Sequence, residues 1–426
     1  MNTAAIGAIA IFILVFGSIS RRLEQSVITP PMAYVVYGLL ISSAALGLIQ
    51  SVSINNEVIR ILAEITLALV LFTDASRIQL KLLRREYNLP VRLLGIGLPI
   101  TIALGTIFAL LLFPSLNIWE AAVLATILTP TDAALGQAVV NSPRVPASIR
   151  QAINVESGLN DGICLPVLLL FVALAEESER ATDASYWLTF SAQQIVFGTV
   201  IGIVVGYFGS KLIIKSLRRK WMNESFEDLS VLGLSILAYA LAQSIGGNGF
   251  IAAFCAGLTL GNVAPQPTRQ KLYDFGEAEG QLLTLISFLL YGAIMILPSL
   301  SQATWQMWLY AFGSLTFIRM LGVAISAIGS NSQPISILFV GWFGPRGIAS
   351  IIYGLLIVEE EKLINSDSIF TTMVITVLIS IFAHGLTAVA GANWYANQMS
   401  DKQDTQGLMP ENKPVPEMPV RLPWRQ

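Results

Sequence analysis

The sequence predicts an all-α polytopic membrane protein with about thirteen transmembrane helices, organised as inverted repeats in which spans 5 and 12 are broken. Three observations carry this reading. Hydrophobic residues make up 54% of the chain and charged residues 12%, with a mean hydropathy of +0.68, against about 25% charged in a typical soluble domain. The apolar residues gather into long stretches, most near the roughly 20 residues that a helix needs to cross the hydrocarbon. Two of these stretches are interrupted by proline, at Pro130 and Pro345, 215 residues apart.

In chain order the stretches run 4–20, 31–50, 57–75, 90–113, 119–140, 150–175, 187–213, 228–246, 249–263, 280–298, 304–328, 334–357 and 368–393. Twelve and fourteen are the alternative counts, because only Gly246-Gly247-Asn248-Gly249 separates the eighth stretch from the ninth. The first stretch has no basic segment before it and no small-residue cleavage site after it, so it reads as a retained span rather than a signal peptide. Sixteen Lys and Arg residues fall in loops after odd-numbered spans, whereas only Arg60, Arg180 and Lys362 fall in the opposite loops. Short basic loops stay in the cytoplasm. The N-terminus is therefore expected outside and the C-terminus in the cytoplasm, with the plasma (inner) membrane as the location.

Residues 1–393 form the transmembrane domain in this reading. Residues 394–426 turn polar and proline-rich and read as a disordered cytoplasmic tail. Cys164 and Cys255 lie inside apolar stretches and read as small core residues. The single His384 excludes a multi-histidine metal site, and it reads as a hydrogen-bonded core residue ahead of a pH sensor. A net charge of −2 offers no nucleic-acid surface.

The offset of 215 residues maps three spans onto three others. Adding it to the fourth, fifth and sixth spans gives the eleventh, twelfth and thirteenth in order. Seven helices separate the triplets, an odd number, so the triplets run in opposite directions through the membrane. Inverted repeats with interrupted helices at matching positions point to the binding site of a secondary transporter. At each break proline removes an N–H and disfavours helical geometry in the residue before it. Thr126 thus loses a partner and Thr129 leaves the helix. Carbonyls released at membrane depth need a partner, which a cation or a cavity supplies.

Chemistry concentrates around the first break. Thr129-Pro130-Thr131-Asp132 and Glu156-Ser157-Gly158-Leu159-Asn160-Asp161 place carboxylates inside apolar runs. An ionisable group at that depth costs roughly 2.5–3.5 kcal/mol or more, so such groups mark ion or proton paths. Glu156 and Asn160 are four apart, as are Ser157 and Asp161, so each pair stacks on a helix face. Ser157, Asn160 and Asp161 can then face Thr131 and Asp132, an all-oxygen set suited to a hard cation. A structural hydrogen-bond cluster is the plainer alternative. Glu64 and Asp74 read as packing or interfacial groups, and Glu277 and Glu279 as a solvated helix start.

These motifs, with Arg319 in Phe317-Ile318-Arg319-Met320-Leu321-Gly322-Val323 and Arg346 in Gly344-Pro345-Arg346-Gly347, resemble the prokaryotic sodium/proton antiporters of the monovalent cation/proton antiporter 1 family, relatives of the animal sodium/hydrogen exchangers. The resemblance covers nearly all of 1–393. It implies a dimerisation part made of spans 1–3 and 7–10, a mobile core made of spans 4–6 and 11–13 with crossing half-helices, and a homodimer. It further implies that Asp161 is the shared proton and cation carrier and that Thr131, Asp132 and Ser157 complete an Na+ site. Asn160 would hold the site together, and an asparagine there corresponds to the electroneutral type. Glu156 with Arg319 would be a buried ion pair, and Arg346 the arginine beside the crossing, with Thr129 in the same supporting set. Gly162-Ile163-Cys164 and Phe343 depart from the family pattern without touching these positions.

The expected function is exchange of one Na+ for one H+ across the bilayer by alternating access, with no cofactor beyond the transported ions. K+ or Li+ in place of Na+ is the close alternative. An intramembrane aspartyl protease using Asp132 and Asp161 is a distant one, since the glycine such enzymes carry before the aspartate is absent. A channel would use the same groups, but without strict counter-transport of protons.

Overall fold

The computed structural model describes residues 3–23, 27–49, 57–86, 88–132, 134–180, 184–359, 363–403 and 411. All regular structure among them is helical. Helices α1 (Thr3–Leu23), α2 (Pro30–Ile41) and α3 (Glu57–Arg77) form the first three spans. A short α4 (Leu80–Glu86) leads to α5 (Asn88–Arg92), which passes through a π-helical turn, Leu93–Gly97, into α6 (Leu98–Leu112). The fifth span is α7 (Ile118–Ile127), a non-helical crossing and the four-residue α8 (Gln137–Val140).

Beyond it, α9 (Ala147–Arg180), α10 (Ala184–Arg218), α11 (Glu224–Ser244) and α12 (Gly249–Val263) each form one span. The tenth is α13 (Gln266–Leu290), a π turn at Tyr291–Met295 and α14 (Ile296–Ser301). The eleventh is α15 (Trp305–Gly313), a π turn at Ser314–Ile318 and α16 (Arg319–Ser326). The twelfth is split into α17 (Pro334–Trp342) and α18 (Ile348–Glu359), and α19 (Ser366–Gln403) closes the bundle. Each of the thirteen apolar stretches thus carries helix among the described residues. Among the described residues, eight helical stretches are long and apolar enough to cross a membrane, and four shorter helices, including α7 and α12, are predominantly apolar.

The ends of the helices have local causes. Asn117 caps α7 by accepting the N–H groups of Trp119 and Glu120, and Glu120 returns a bond to the Asn117 N–H, a reciprocal capping box. Asn248 caps α12 with its side-chain oxygen alone, accepting from Phe250 and Ile251, and this cap separates the eighth span from the ninth. Large apolar side chains such as Leu14, Leu111, Phe208, Leu212 and Phe312 stand exposed around the outside. A soluble monomer rarely exposes such a contiguous apolar surface; a bilayer covers it.

The halves of the repeat keep their offset: α7 ends at Ile127 and α17 at Trp342, again 215 residues apart. The first helix of each triplet also carries a π turn, Leu93–Gly97 and Ser314–Ile318. Within the triplets α6 packs on α7, α7 on α9, α16 on α17 and α18 on α19; among the remaining helices α10 packs on α12, α12 on α3 and α13 on α2.

Two expectations change. Glu277 is not a solvated helix start, because α13 begins at Gln266 and carries Glu277 well inside the helix, where it is buried. Its Oε2 accepts the Tyr273 hydroxyl at 2.9 Å and lies 4.0 Å from Arg77, which pairs with Asp74. Helix α19 also runs past residue 393 to Gln403, and the tail reading of 404–426 falls, Glu411 apart, outside the described residues. Glu411 is buried: its carbonyl accepts Ser148 Oγ at 2.6 Å, and its Oε1 accepts the N–H of Gln333 at 2.6 Å, at the start of α17.

Candidate functional site

The site is built where the two broken spans cross. In the first, the chain leaves α7 after Ile127 and runs non-helically through Thr129, Pro130, Thr131 and Asp132. The carbonyls released there are met by protein groups. Ser350 Oγ donates to Ile127 at 2.8 Å. Arg346 donates to the carbonyls of Thr129 and Pro130, the latter at 3.1 Å. Ser157 Oγ donates to Thr131 at 2.7 Å. Thr126, expected to lose its partner, accepts the N–H of Thr129 at 3.3 Å instead, a tighter three-residue turn. Each of the side chains that donate here, Ser350, Arg346 and Ser157, comes from α9 or from the second broken span.

That second span leaves α17 after Trp342 and resumes helix at Ile348. The strands of the crossing bond to each other: the N–H of Asp132 donates to the Pro345 carbonyl at 2.7 Å. The Asp132 carboxylate accepts Ala134 N–H at 2.8 Å through Oδ1 and Ile348 N–H at 3.1 Å through Oδ2. A carboxylate is thus seated at the N-terminus of α18, where unpaired N–H groups and the helix dipole favour negative charge. Two glycines make the approach possible. A Cβ on Gly347 would fall on the Asp132 carboxylate, and one on Gly344 would lie 2.6 Å from Arg319 Nε and 3.1 Å from the Thr131 methyl.

Helix α9 supplies the remaining groups. Asn160 Nδ2 donates to Thr131 Oγ1 at 2.7 Å, so Ser157 and Asn160 hold Thr131 by its carbonyl and its hydroxyl. Asp161 is buried, one turn after Ser157, and its backbone carbonyl accepts the hydroxyl of the fully buried Tyr353 at 2.6 Å. Glu156 pairs with Arg319 through two bonds, 2.5 Å and 2.7 Å, with both side chains 4% exposed. The structure therefore brings Thr129, Thr131, Asp132, Glu156, Ser157, Asn160, Asp161, Arg319 and Arg346 into one buried cluster at the crossing. Asp74 and Glu277 belong instead to the group around Arg77 and Tyr273.

Two cavities flank the cluster. One of about 310 Å³ is lined by Glu64, Glu176, Gln194 and Gln243 and reaches Leu165, one turn along α9 from Asp161. A smaller one of about 30 Å³ is lined by Asp74, Gln137 and Glu277 and reaches Ala134, two residues from Asp132. Glu64 and Asp74 are ten residues apart on α3, or about 15 Å at 1.5 Å per residue. The cavities thus approach from opposite ends of the bundle.

Sequence reasoning missed Ser350, Tyr353, Ser380 and the pair Glu120–Asn365, in which Asn365 donates to both Glu120 oxygens from the start of the thirteenth span. Glu120 carries a signal, three residues after Asn117 and just before an apolar run. The lone hydroxyls carry none.

The family described as the transmembrane sodium/hydrogen exchanger matches residues 8–394. The chain belongs to that family. Its members are cation/proton antiporters, transporters and not enzymes, so the protease reading falls. Among curated relatives, the chain is 26% identical to the K+/H+ antiporter NhaP of Alkalimonas amylolytica, over 96% of this chain and 69% of the relative. It is 25% identical to a probable Na+/H+ antiporter of Schizosaccharomyces pombe, over 72% of this chain and 42% of the relative. A K+/H+ antiporter NhaP2 of Shewanella is 24% identical, over 78% of this chain and 57% of the relative. The chain thus spans less than two thirds of the latter two. Its fold matches the sodium proton antiporter MjNhaP1 of Methanocaldococcus jannaschii with a TM-score of 0.77 at 23% identity, over 93% of this chain and 98% of the other.

Proposed function

We propose that this chain exchanges Na+ for H+, one for one, with Asp161 as the shared carrier and with Thr131, Asp132 and Ser157 as the other cation ligands. The observation that carries the reading is the crossing itself. Ser157 and Asn160 fix Thr131 directly, Asp132 is held at the head of α18, and Asp161 lies one turn away on the same helix as Ser157. Burial opposes the charged form of a carboxylate. A sodium ion or a proton relieves that opposition equally well in kind, so the two compete for one site.

The charge count supports one-for-one exchange. The cluster holds three buried carboxylates, Asp132, Glu156 and Asp161, and two buried guanidinium groups, Arg319 and Arg346. With all ionised it carries one net negative charge, which one Na+ or one H+ cancels. Both loaded forms then cross carrying the same charge. Asn160 in place of a further carboxylate keeps the count at one. The flanking cavities give each side of the membrane an approach, and we assign the larger to the outside by the distribution of Lys and Arg. From the same distribution we infer an N-terminus outside and a C-terminus in the cytoplasm, and from the family resemblance a homodimer in the plasma membrane.

K+ in place of Na+ is the second reading, favoured by the relatives that are named K+/H+ antiporters. Oxygen ligands alone do not choose between alkali ions. Proteoliposomes with an internal pH dye, challenged in turn with Na+, K+ and Li+, decide it. Sodium-driven proton movement that saturates is expected. A response to K+ alone would move the assignment to the second reading, and no response to any cation would overturn both.

A further inference from the structure

In an uninterrupted helix the N–H of Arg346 would donate to the carbonyl of Trp342, four residues earlier. The break at 343–347 removes that bond and leaves both groups in the interior, where an unpaired backbone group is costly. Each finds its partner on α19. The N–H of Arg346 donates to Ser380 Oγ at 2.6 Å. The carbonyl of Trp342, which also accepts Gly344 N–H at 2.9 Å, lies 2.9 Å from His384 Nε2. Ser380 and His384 are one turn apart on α19, with Oγ 3.2 Å from Nδ1.

The tautomer protonated on Nε2 serves Trp342, the Ser380 hydroxyl and Arg346 together, and turns its Nδ1 lone pair toward the Ser380 carbonyl, 2.9 Å away. With the proton on Nε2, His384 donates to Trp342, and its Nδ1 lone pair accepts the Ser380 hydroxyl, whose oxygen in turn accepts Arg346 N–H. With the proton on Nδ1 the ring would donate to the Ser380 carbonyl, 2.9 Å away, but would turn a lone pair toward the Trp342 carbonyl and leave the Ser380 hydroxyl without this acceptor. A third contact fixes the same end of the break: Trp342 Nε1 donates to Thr387 Oγ1 at 3.0 Å, one further turn along α19.

We propose that Ser380 and His384 form a hydrogen-bond splint that replaces the missing turn of the broken twelfth span, making His384 a positioning residue for the cation site. The consequence travels through Arg346 and its neighbour. Fixing the Arg346 backbone fixes the Pro345 carbonyl that receives Asp132 N–H, and it fixes the guanidinium that holds the Thr129 and Pro130 carbonyls. Asp132 and the Thr129-Pro130 segment are therefore located from α19, through the break. The inference rests on the antiporter reading for its effect on transport, but not for its geometry.

Two measurements test it. His384 is the single histidine of the chain, so the full-length protein made without a histidine tag and labelled with 15N-histidine gives one imidazole. Protonated Nε2 with unprotonated Nδ1 is expected; a proton on Nδ1, alone or with Nε2, overturns the splint. In proteoliposomes, His384→Leu and Ser380→Ala should each reduce cation-driven exchange by about tenfold or more, the scale on which small misplacements of binding groups act. Their combination should be no worse than the worse single variant, since each cuts the same chain of bonds. His384→Gln, which retains a donor and an acceptor, and Ser380→Thr should keep most of the native rate and the native pH profile. Native exchange in both loss variants, or a His384→Gln variant as defective as His384→Leu with a displaced pH profile, would overturn the proposal. If His384→Leu fails to fold, Ser380→Ala and the imidazole spectrum decide. An inactive native protein would count against the antiporter reading, with the spectrum still deciding the splint.

Discussion

Asp132 and Ile348 lie on different broken helices, and the carboxylate of the first accepts the N–H of the second at 3.1 Å. Together with the bond from Asp132 N–H to the Pro345 carbonyl at 2.7 Å, this makes each interrupted span the cap of the other. Neither break is therefore an isolated kink. A change at one alters the group that the other presents at the crossing.

Gly347→Ala is the most direct structural probe of that relationship. The added Cβ would fall on the Asp132 carboxylate and lie 2.7 Å from its Cβ. Asp132 must then leave the head of α18. Overpacking of this kind costs about 1–3 kcal/mol, so a modest loss of thermal stability should accompany near-complete loss of exchange. Native transport by Gly347→Ala would mean that the seat of Asp132 is unimportant.

Glu156 and Arg319 should behave as one unit. Breaking a buried pair typically costs about 3–5 kcal/mol because a charge is left behind, whereas removing both partners costs far less. Glu156→Gln and Arg319→Gln are each expected to lower the melting temperature in detergent, with the double variant recovering much of the loss. Additive losses in that cycle would rule out a structural bridge, and a weakened cation affinity for Glu156→Gln at unchanged stability would make Glu156 a ligand.

The proposed one-for-one stoichiometry makes a prediction about membrane potential. Moving one net charge is worth about 2.3 kcal/mol per 100 mV. Exchange of one Na+ for one H+ moves none, so a potential clamped with K+ and valinomycin should leave the equilibrium sodium distribution unchanged. A distribution that follows the clamped potential would require a second charge on one leg of the cycle.

The helices were legible because apolar runs of membrane length, Pro130 and Pro345 announce themselves locally. Their polar ends were not. α13 begins at Gln266, fourteen residues before its apolar stretch, and α19 runs ten residues beyond its own, because polar residues continue a helix as readily as they end it; in α13 Pro267 sits in the first turn, where proline is tolerated, and Gly276 lies inside the helix without ending it. The π turns of the fourth, tenth and eleventh spans left no pattern to read. At the crossing, Asp132, Ser157, Asn160 and Asp161 stood out as polar groups inside apolar runs. Ser350, Tyr353 and Ser380 did not, since a single hydroxyl in such a helix commonly bonds to its own backbone. Ser350 and Tyr353 meet Ile127 and Asp161, 223 and 192 residues away in the chain. The glycines of Gly344-Pro345-Arg346-Gly347 acquire their reason only when Arg319 and Asp132 arrive against them.

The central claim is that one carboxylate, Asp161, carries the cation in one direction and the proton in the other. It is tested most directly by sodium-driven proton movement in proteoliposomes containing Asp161→Asn, beside native protein of equal abundance and thermal stability. An amide occupies the same volume but carries no transferable proton, so the variant should show no exchange at any pH or sodium concentration. Appreciable exchange by a folded Asp161→Asn protein would contradict the claim and place the carrier elsewhere.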